Sequence, residues 1–146
     1  MSKASATEIP AGTFGPKTGS DTFLESFKLP IGVTRIGGSA FGDCTKLTGD
    51  LIIPDNFKSI AEGLFSGCAG FDGYLIIPDS VTKIGANAFS GCSGLKGKLN
   101  LPSGLTEIAS GTFSGCAGFT GDLFIPDKVV KIDTNAFYQE LKRKLR

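Results

Sequence analysis

The chain has 146 residues, 40% of them hydrophobic, and carries 15 Lys+Arg against 14 Asp+Glu, which fits one domain with a sizeable core. Charge this evenly balanced gives no electrostatic ground for nucleic acid or an anionic membrane as the main partner. Histidine is absent, which removes the commonest general base and metal ligand, and no stretch approaches the roughly 20 apolar residues of a membrane span.

In chain order, Met1 to Pro10 is small and polar and lacks the apolar core of a signal peptide. The expectation is an intracellular protein, or a mature segment or expressed piece of something longer. Glu8-Ile9-Pro10-Ala11-Gly12-Thr13-Phe14 parallels Glu107-Ile108-Ala109-Ser110-Gly111-Thr112-Phe113 further on. From Phe14 to Phe41 is 27 residues, about three more than the later spacing, with the extra length around Ser20-Asp21-Thr22. Lys17 also stands where later units have cysteine. Residues 1–29 therefore read as a divergent N-terminal repeat or cap.

From there one spacing of 24 residues holds without slippage: Pro30, Pro54, Pro78, Pro102 and Pro126; Phe41, Phe65, Phe89, Phe113 and Phe137; Cys44, Cys68, Cys92 and Cys116. Ile36, Ile60, Ile84, Ile108 and Ile132 keep the same step. A period of this length marks stacked coils, each one turn of a solenoid. The 21 glycines fall at fixed repeat positions and read as turn chemistry.

Within one coil, Leu75-Ile76-Ile77 is a short β-branched run closed by Pro78, which cannot donate to a ladder. Asp79-Ser80 is a turn, and Val81-Thr82-Lys83-Ile84 alternates apolar and polar at the strand period. Ala88-Phe89-Ser90-Gly91 is too short for a full helix and predicts a single helical or 3₁₀ turn. Stacking in parallel register about 4.8 Å apart turns each position into a column. The columns Val33, Phe57, Val81, Leu105, Val129, then Leu47, Phe71, Leu95, Phe119, then Leu51, Leu75, Leu99, Leu123 are predicted interior, with the Phe and Ile columns.

After Phe137 the repeat stops. Glu140 replaces the cysteine, and Leu141 and Leu145 lie four apart in a basic stretch. Residues 138–146 are read as an amphipathic helix closing the open end of the core, the alternative being a nucleic-acid or membrane contact by its basic residues. The whole of 1–146 is one domain, with 30–137 the regular repeats.

With its columns named, the repeat resembles the BspA-like (LRR_5) class of leucine-rich repeats. The match runs through Leu51, Ile53, Pro54, Phe57, Ile60, Leu64, Phe65, Cys68 and Phe71, then Leu75, Ile77, Pro78, Val81, Ile84, Gly85, Ala88, Phe89, Cys92 and Leu95. A departure is the added residue between Leu47 and Leu51, where Gly49, Gly73, Gly97 and Gly121 recur and φ > 0 is expected before the strand. The reading is a β-rich, right-handed leucine-rich-repeat solenoid of about five coils with parallel strands and short helical or 3₁₀ turns. The resemblance implies a long secreted or surface-displayed parent, of a host-associated bacterium or a protozoan parasite, in a family of which several members act as adhesins, with no catalytic or ligand residues to carry over. Function on this step is analogy.

Two constellations invite chemistry. Zinc motifs bring ligands in close pairs, whereas the four cysteines are single and one coil apart, and parallel side chains fit a disulfide dihedral poorly. Buried thiols acting as small hydrophobes are expected, with no metal and no cofactor. Asp55, Asp79 and Asp127 follow prolines and read as turn caps, and Tyr74 and Lys98 separate Asp50 from Asp122 in their column, too far for paired-carboxylate hydrolysis. An enzyme with a small-molecule substrate is not expected.

The outward side of the first strand carries the functional expectation. Leu51 and Ile53 point in, so Ile52 points out, in the column Lys28, Ile52, Ile76, Asn100, Phe124; beside it run Ser26, Asp50, Tyr74, Lys98 and Asp122. Ile52, Tyr74, Ile76, Lys98, Asn100 and Phe124 are the predicted protein-binding residues, an apolar patch rimmed by charge. The partner class is a host matrix protein or a second copy. The competing reading is strand propensity alone, in a repeat stalk or engineered scaffold without a ligand. Arg35, Ser59, Lys83, Glu107 and Lys131 on the second strand read as a solvated stripe.

Overall fold

A strict repeat places matching residues of successive coils side by side, and the computed structural model, which describes residues 8–9 and 35–138, has that pairing. The strands are β1 (Glu8–Ile9), β2 (Arg35–Ile36), β3 (Gly49–Ile52), β4 (Ser59–Ile60), β5 (Phe71–Ile76), β6 (Lys83–Ile84), β7 (Glu107–Ile108) and β8 (Lys131–Ile132). All pairs are parallel: β1 with β2, β3 with β5, β4 with β6, and β7 with β8. Ile60 lies beside Ile84 and Ile108 beside Ile132, one period apart. Glu8 lies beside Arg35, so the longer first unit takes up its extra residues outside the strand.

The first strand is less regular than the repeat predicts. Leu51 pairs with Leu75 and Ile52 with Ile76, after a register shift between Gly49 and Leu51. Past β5 only two isolated bridges remain, Tyr74 to Lys96 and Gly97 to Phe119, so residues 98–101 and 122–125 form no strand. Leu51-Ile52-Ile53 and Leu75-Ile76-Ile77 are β-branched runs, whereas Leu99-Asn100-Leu101 places a poor strand former at its centre. Gly49, Gly97 and Gly121 have the expected positive φ; Gly73, inside the longest strand, does not.

The helical or 3₁₀ turn is replaced by a different device, and no helix occurs among the described residues. Ala88, Ser90 and Cys92 donate their N–H groups to the carbonyls of Gly85, Asn87 and Phe89 within the turn. The N–H groups that alternate with them, of Asn87, Phe89 and Gly91, donate to the carbonyls of Ser110, Thr112 and Ser114 of the next coil at 2.7–2.9 Å. Alternate donors thus serve the turn and the stack, and a continuous helix would claim all of them for itself. The alternation needs a left-handed residue at its start. That residue is Ser39 (φ 58), Gly63 (φ 64), Asn87 (φ 58), Gly111 (φ 66) and Asn135 (φ 58), a column of types that tolerate the conformation.

Inside the stack the phenylalanine column is a pile of parallel rings. Phe41–Phe65, Phe65–Phe89, Phe89–Phe113 and Phe113–Phe137 have centroids 5.4, 5.8, 5.5 and 5.6 Å apart, all within 10° of parallel. Phe71 meets Phe65 edge-on at 6.2 Å. Thr112 takes the place of alanine in a buried column and satisfies its hydroxyl by donating to the Ala109 carbonyl at 2.8 Å.

All four cysteines are buried and outside any disulfide. The thiols of Cys68, Cys92 and Cys116 donate to the carbonyls of Phe41, Phe65 and Phe89 at 2.9, 3.2 and 3.0 Å, tying each coil to the one before. Burial pushes the Cys68 thiol up to about 12, and the Cys92 thiol well above the ordinary range. Unfolded thiols ionise near about pH 8.5 while these stay protonated, so the folded chain holds protons that the unfolded chain releases. Their contribution to stability is complete below that pH and falls as pH rises towards 12. Urea unfolding should therefore show a midpoint that drops between about pH 7 and about pH 10.5. A Cys68→Ala, Cys92→Ala variant should start lower yet drop less, and an equal drop in both proteins would contradict the argument.

The last coil departs from the predicted interior. Ile132 is 49% exposed where Ile36, Ile60, Ile84 and Ile108 are buried, and Leu123 and Val129 are only partly covered. No described coil lies beyond them. The proposed helix over 138–146 falls outside the described residues, except for Tyr138 in a turn closed on the Asn135 carbonyl.

Candidate protein-binding face

The strand period decides which side chains leave the core. In β5, Phe71, Gly73 and Leu75 are buried while Asp72, Tyr74 and Ile76 are exposed. Ile52 follows the same rule in β3, and Lys98, Asn100 and Phe124 are exposed in the coils beyond. Tyr74 is 54% exposed and Phe124 67%, large values for aromatic residues in a chain with this well-filled interior. All six predicted side chains therefore point away from the core, as expected, although pairing lapses between Ile76 and Asn100 and the face is not one unbroken sheet.

Local contacts fix the aromatic groups. A Cβ on Gly97 would stand 2.6 Å from two atoms of the Tyr74 ring, so the glycine opens the space the ring occupies. Lys96 reaches over the same ring at 6.0 Å, and Lys98 sits 4.8 Å from the Phe124 centroid. Such exposed cation–π contacts are worth about 0.5–1 kcal/mol, enough to bias where a ring lies. The Asp50 carboxylate, read from sequence as a rim charge, also accepts the Tyr74 N–H at 2.8 Å; Asp72 accepts the Gly49 N–H at 2.9 Å. These two carboxylates clip adjacent coils together while remaining exposed.

Asp72 and Lys96 belong to the face and were not singled out by the sequence pattern, and Gly97 was read only as a turn residue before the strand. The register shift brings Lys96 beside Tyr74, and a uniform period does not signal it. Ser59, Lys83, Glu107 and Lys131 form the exposed stripe on the second strand. On the turn side an open polar groove is lined by Gly38, Ser39, Glu62, Gly63, Ser66 and Asn87. Among the described residues no His, Cys, Asp or Glu side chains group in threes to hold a metal, and no helix is long and apolar enough to cross a membrane.

Residues 7–144 match the model of the BspA type leucine rich repeat region in six copies. Among solved structures, the chain is similar to a leucine rich cell surface protein from Faecalibacterium prausnitzii A2-165, with 31% identity over 92% of this chain and 41% of that one, TM-score 0.68. A leucine-rich repeat protein of T. pallidum is 28% identical over 82% of this chain and 56% of that one, TM-score 0.57. Another from Bacteroides ovatus ATCC 8483 is 27% identical over 89% and 35%, TM-score 0.51. The chain thus spans between about a third and just over half of these proteins' lengths. No curated protein matches it. Matched along almost its whole length, the chain belongs to the BspA-type leucine-rich repeat family.

Proposed function

We propose that the chain is a non-enzymatic protein-interaction module, an adhesion segment of a bacterial cell-surface protein that binds through the face of Ile52, Tyr74, Ile76, Lys98, Asn100 and Phe124. The observation that carries this reading is the exposure of Ile52, Tyr74, Ile76 and Phe124 on the outer side of the first-strand region; the other exposed large apolar side chains, Ile125, Val130, Ile132 and Tyr138, all lie in the last described coil. Leaving the first four in water costs free energy that a strand-forming polar residue such as threonine would avoid. The similarity to a protein described as a leucine rich cell surface protein supports the location and, by analogy, the role.

Affinity at such a patch concentrates in central aromatic and aliphatic anchors, while rim charges tune rate and salt dependence. Tyr74→Ala with Ile76→Ser should abolish capture of a host matrix protein from a panel presented on a surface. The melting temperature should stay nearly unchanged, because both side chains point outward. Lys83→Ala with Lys131→Ala on the second strand should bind as wild type does. Equal binding by the Tyr74, Ile76 variant would move the site to another face, and no binding by wild type would favour a repeat stalk.

A further inference from the structure

Charge on this face is segregated along the stack. Asp50 and Asp72 lie in the two earlier coils, and Lys96 and Lys98 in the third, with Asp122 beyond. The two halves carry formal charges of −2 (Asp50, Asp72) and +1 (Lys96, Lys98 less Asp122). Apolar groups stand in both halves, Ile52, Tyr74 and Ile76 in the first and Phe124 in the second.

We infer that the occupant of this face is a second copy of the chain, docked face to face with its stack running the opposite way. The inference rests on the proposed binding role of the face and names the partner. A two-fold axis across the stack lays the acidic half of each copy on the basic half of the other. It brings Lys96 and Lys98 of the second copy towards Asp72 and the electron-rich ring of Tyr74, and it does so twice, while Asp50 and Asp122 of opposite copies meet only at the two ends of the patch. A two-fold axis along the stack would instead set the acidic half on itself and the lysines on lysines, so charge selects the antiparallel arrangement. Four rungs about 4.8 Å apart span only roughly 15 Å between Ile52 and Phe124. The patch is smaller than the roughly 800 Å² per partner of a standard interface, so association is weak, with a dissociation constant on the order of 100 µM or above.

The test is sedimentation velocity of the full chain up to about millimolar concentration, at low and high salt. Wild type should dimerise reversibly, and added salt should weaken it. Two charge-reversed proteins, Lys96→Asp with Lys98→Asp, and Asp50→Lys with Asp72→Lys, should each self-associate about tenfold or more weakly. Mixed in equal amounts they should dimerise again, because each supplies the charge the other now lacks. The aspartates also accept backbone N–H groups, so melting curves accompany both proteins. Should the aspartate pair fail to fold, the lysine pair and the salt series decide alone. Wild type that stays monomeric, dimerisation indifferent to salt, or a mixture of folded variants that fails to recover would overturn the proposal. If the Tyr74, Ile76 variant nonetheless loses capture of a matrix protein, the binding face stands and only the identity of its partner falls.

Discussion

Phe89→Ala should destabilise the protein by about 3–5 kcal/mol in urea unfolding. Phe89 is fully buried and stacks on both neighbours, Phe65 at 5.8 Å and Phe113 at 5.5 Å, so truncation leaves a void with ring walls above and below. Its amide and carbonyl also join coil to coil: the N–H donates to Thr112, and the carbonyl accepts the Cys116 thiol. Collapse around the void would disturb those bonds, which keeps the cost towards the upper end. Phe137, stacked on Phe113 at the last described coil, should cost less when truncated. A change at Phe89 below about 1 kcal/mol would show that the ring pile is not the core.

The second large effect comes from a residue with no side chain. A Cβ on Gly94 would fall inside the van der Waals boundary of the Phe71 carbonyl oxygen and 3.0 Å from that of Ala69. Both atoms are backbone of the preceding coil and cannot swing away. Gly118 meets Leu95 and Ser93 in the same way, so this glycine column sets how closely coils approach. Gly94→Ala should cost about 1–3 kcal/mol by overpacking, and Gly94→Val more. Gly104→Ala is the control: its Cβ would meet only the Thr82 methyl at 3.3 Å, and stability should hardly move. Equal effects at the two glycines would mean that coil spacing is not limiting.

Much of this architecture was legible because a fixed period converts chain position into spatial column. Stacked Phe41 to Phe137, paired Ile60 and Ile84, buried thiols, and outward Ile52, Tyr74 and Ile76 all follow from step and alternation. What the period hides is competition for backbone donors. Ala88 to Gly91 looks like an incipient helix until the N–H groups of Phe89 and Gly91 are needed by the next coil. The left-handed column was visible as Ser39, Gly63, Asn87, Gly111 and Asn135, but its meaning depends on that sharing. Strict spacing also cannot show where pairing fails, as at Asn100, or that Asp50 bonds to a neighbouring strand. At the last coil the interior pattern continues in Val129 and Ile132, yet burial requires a following layer and not a pattern.

The central claim is that binding uses the first-strand face. Amide chemical-shift mapping of the ¹⁵N-labelled chain tests it directly, with unlabelled matrix protein added in one series and the chain itself diluted in another. The account predicts shifts concentrated at Ile52, Tyr74, Ile76, Lys98, Asn100 and Phe124, with Lys83, Glu107 and Lys131 unmoved. Shifts centred on that second-strand stripe, or on the groove of Ser39, Glu62 and Asn87, would contradict it.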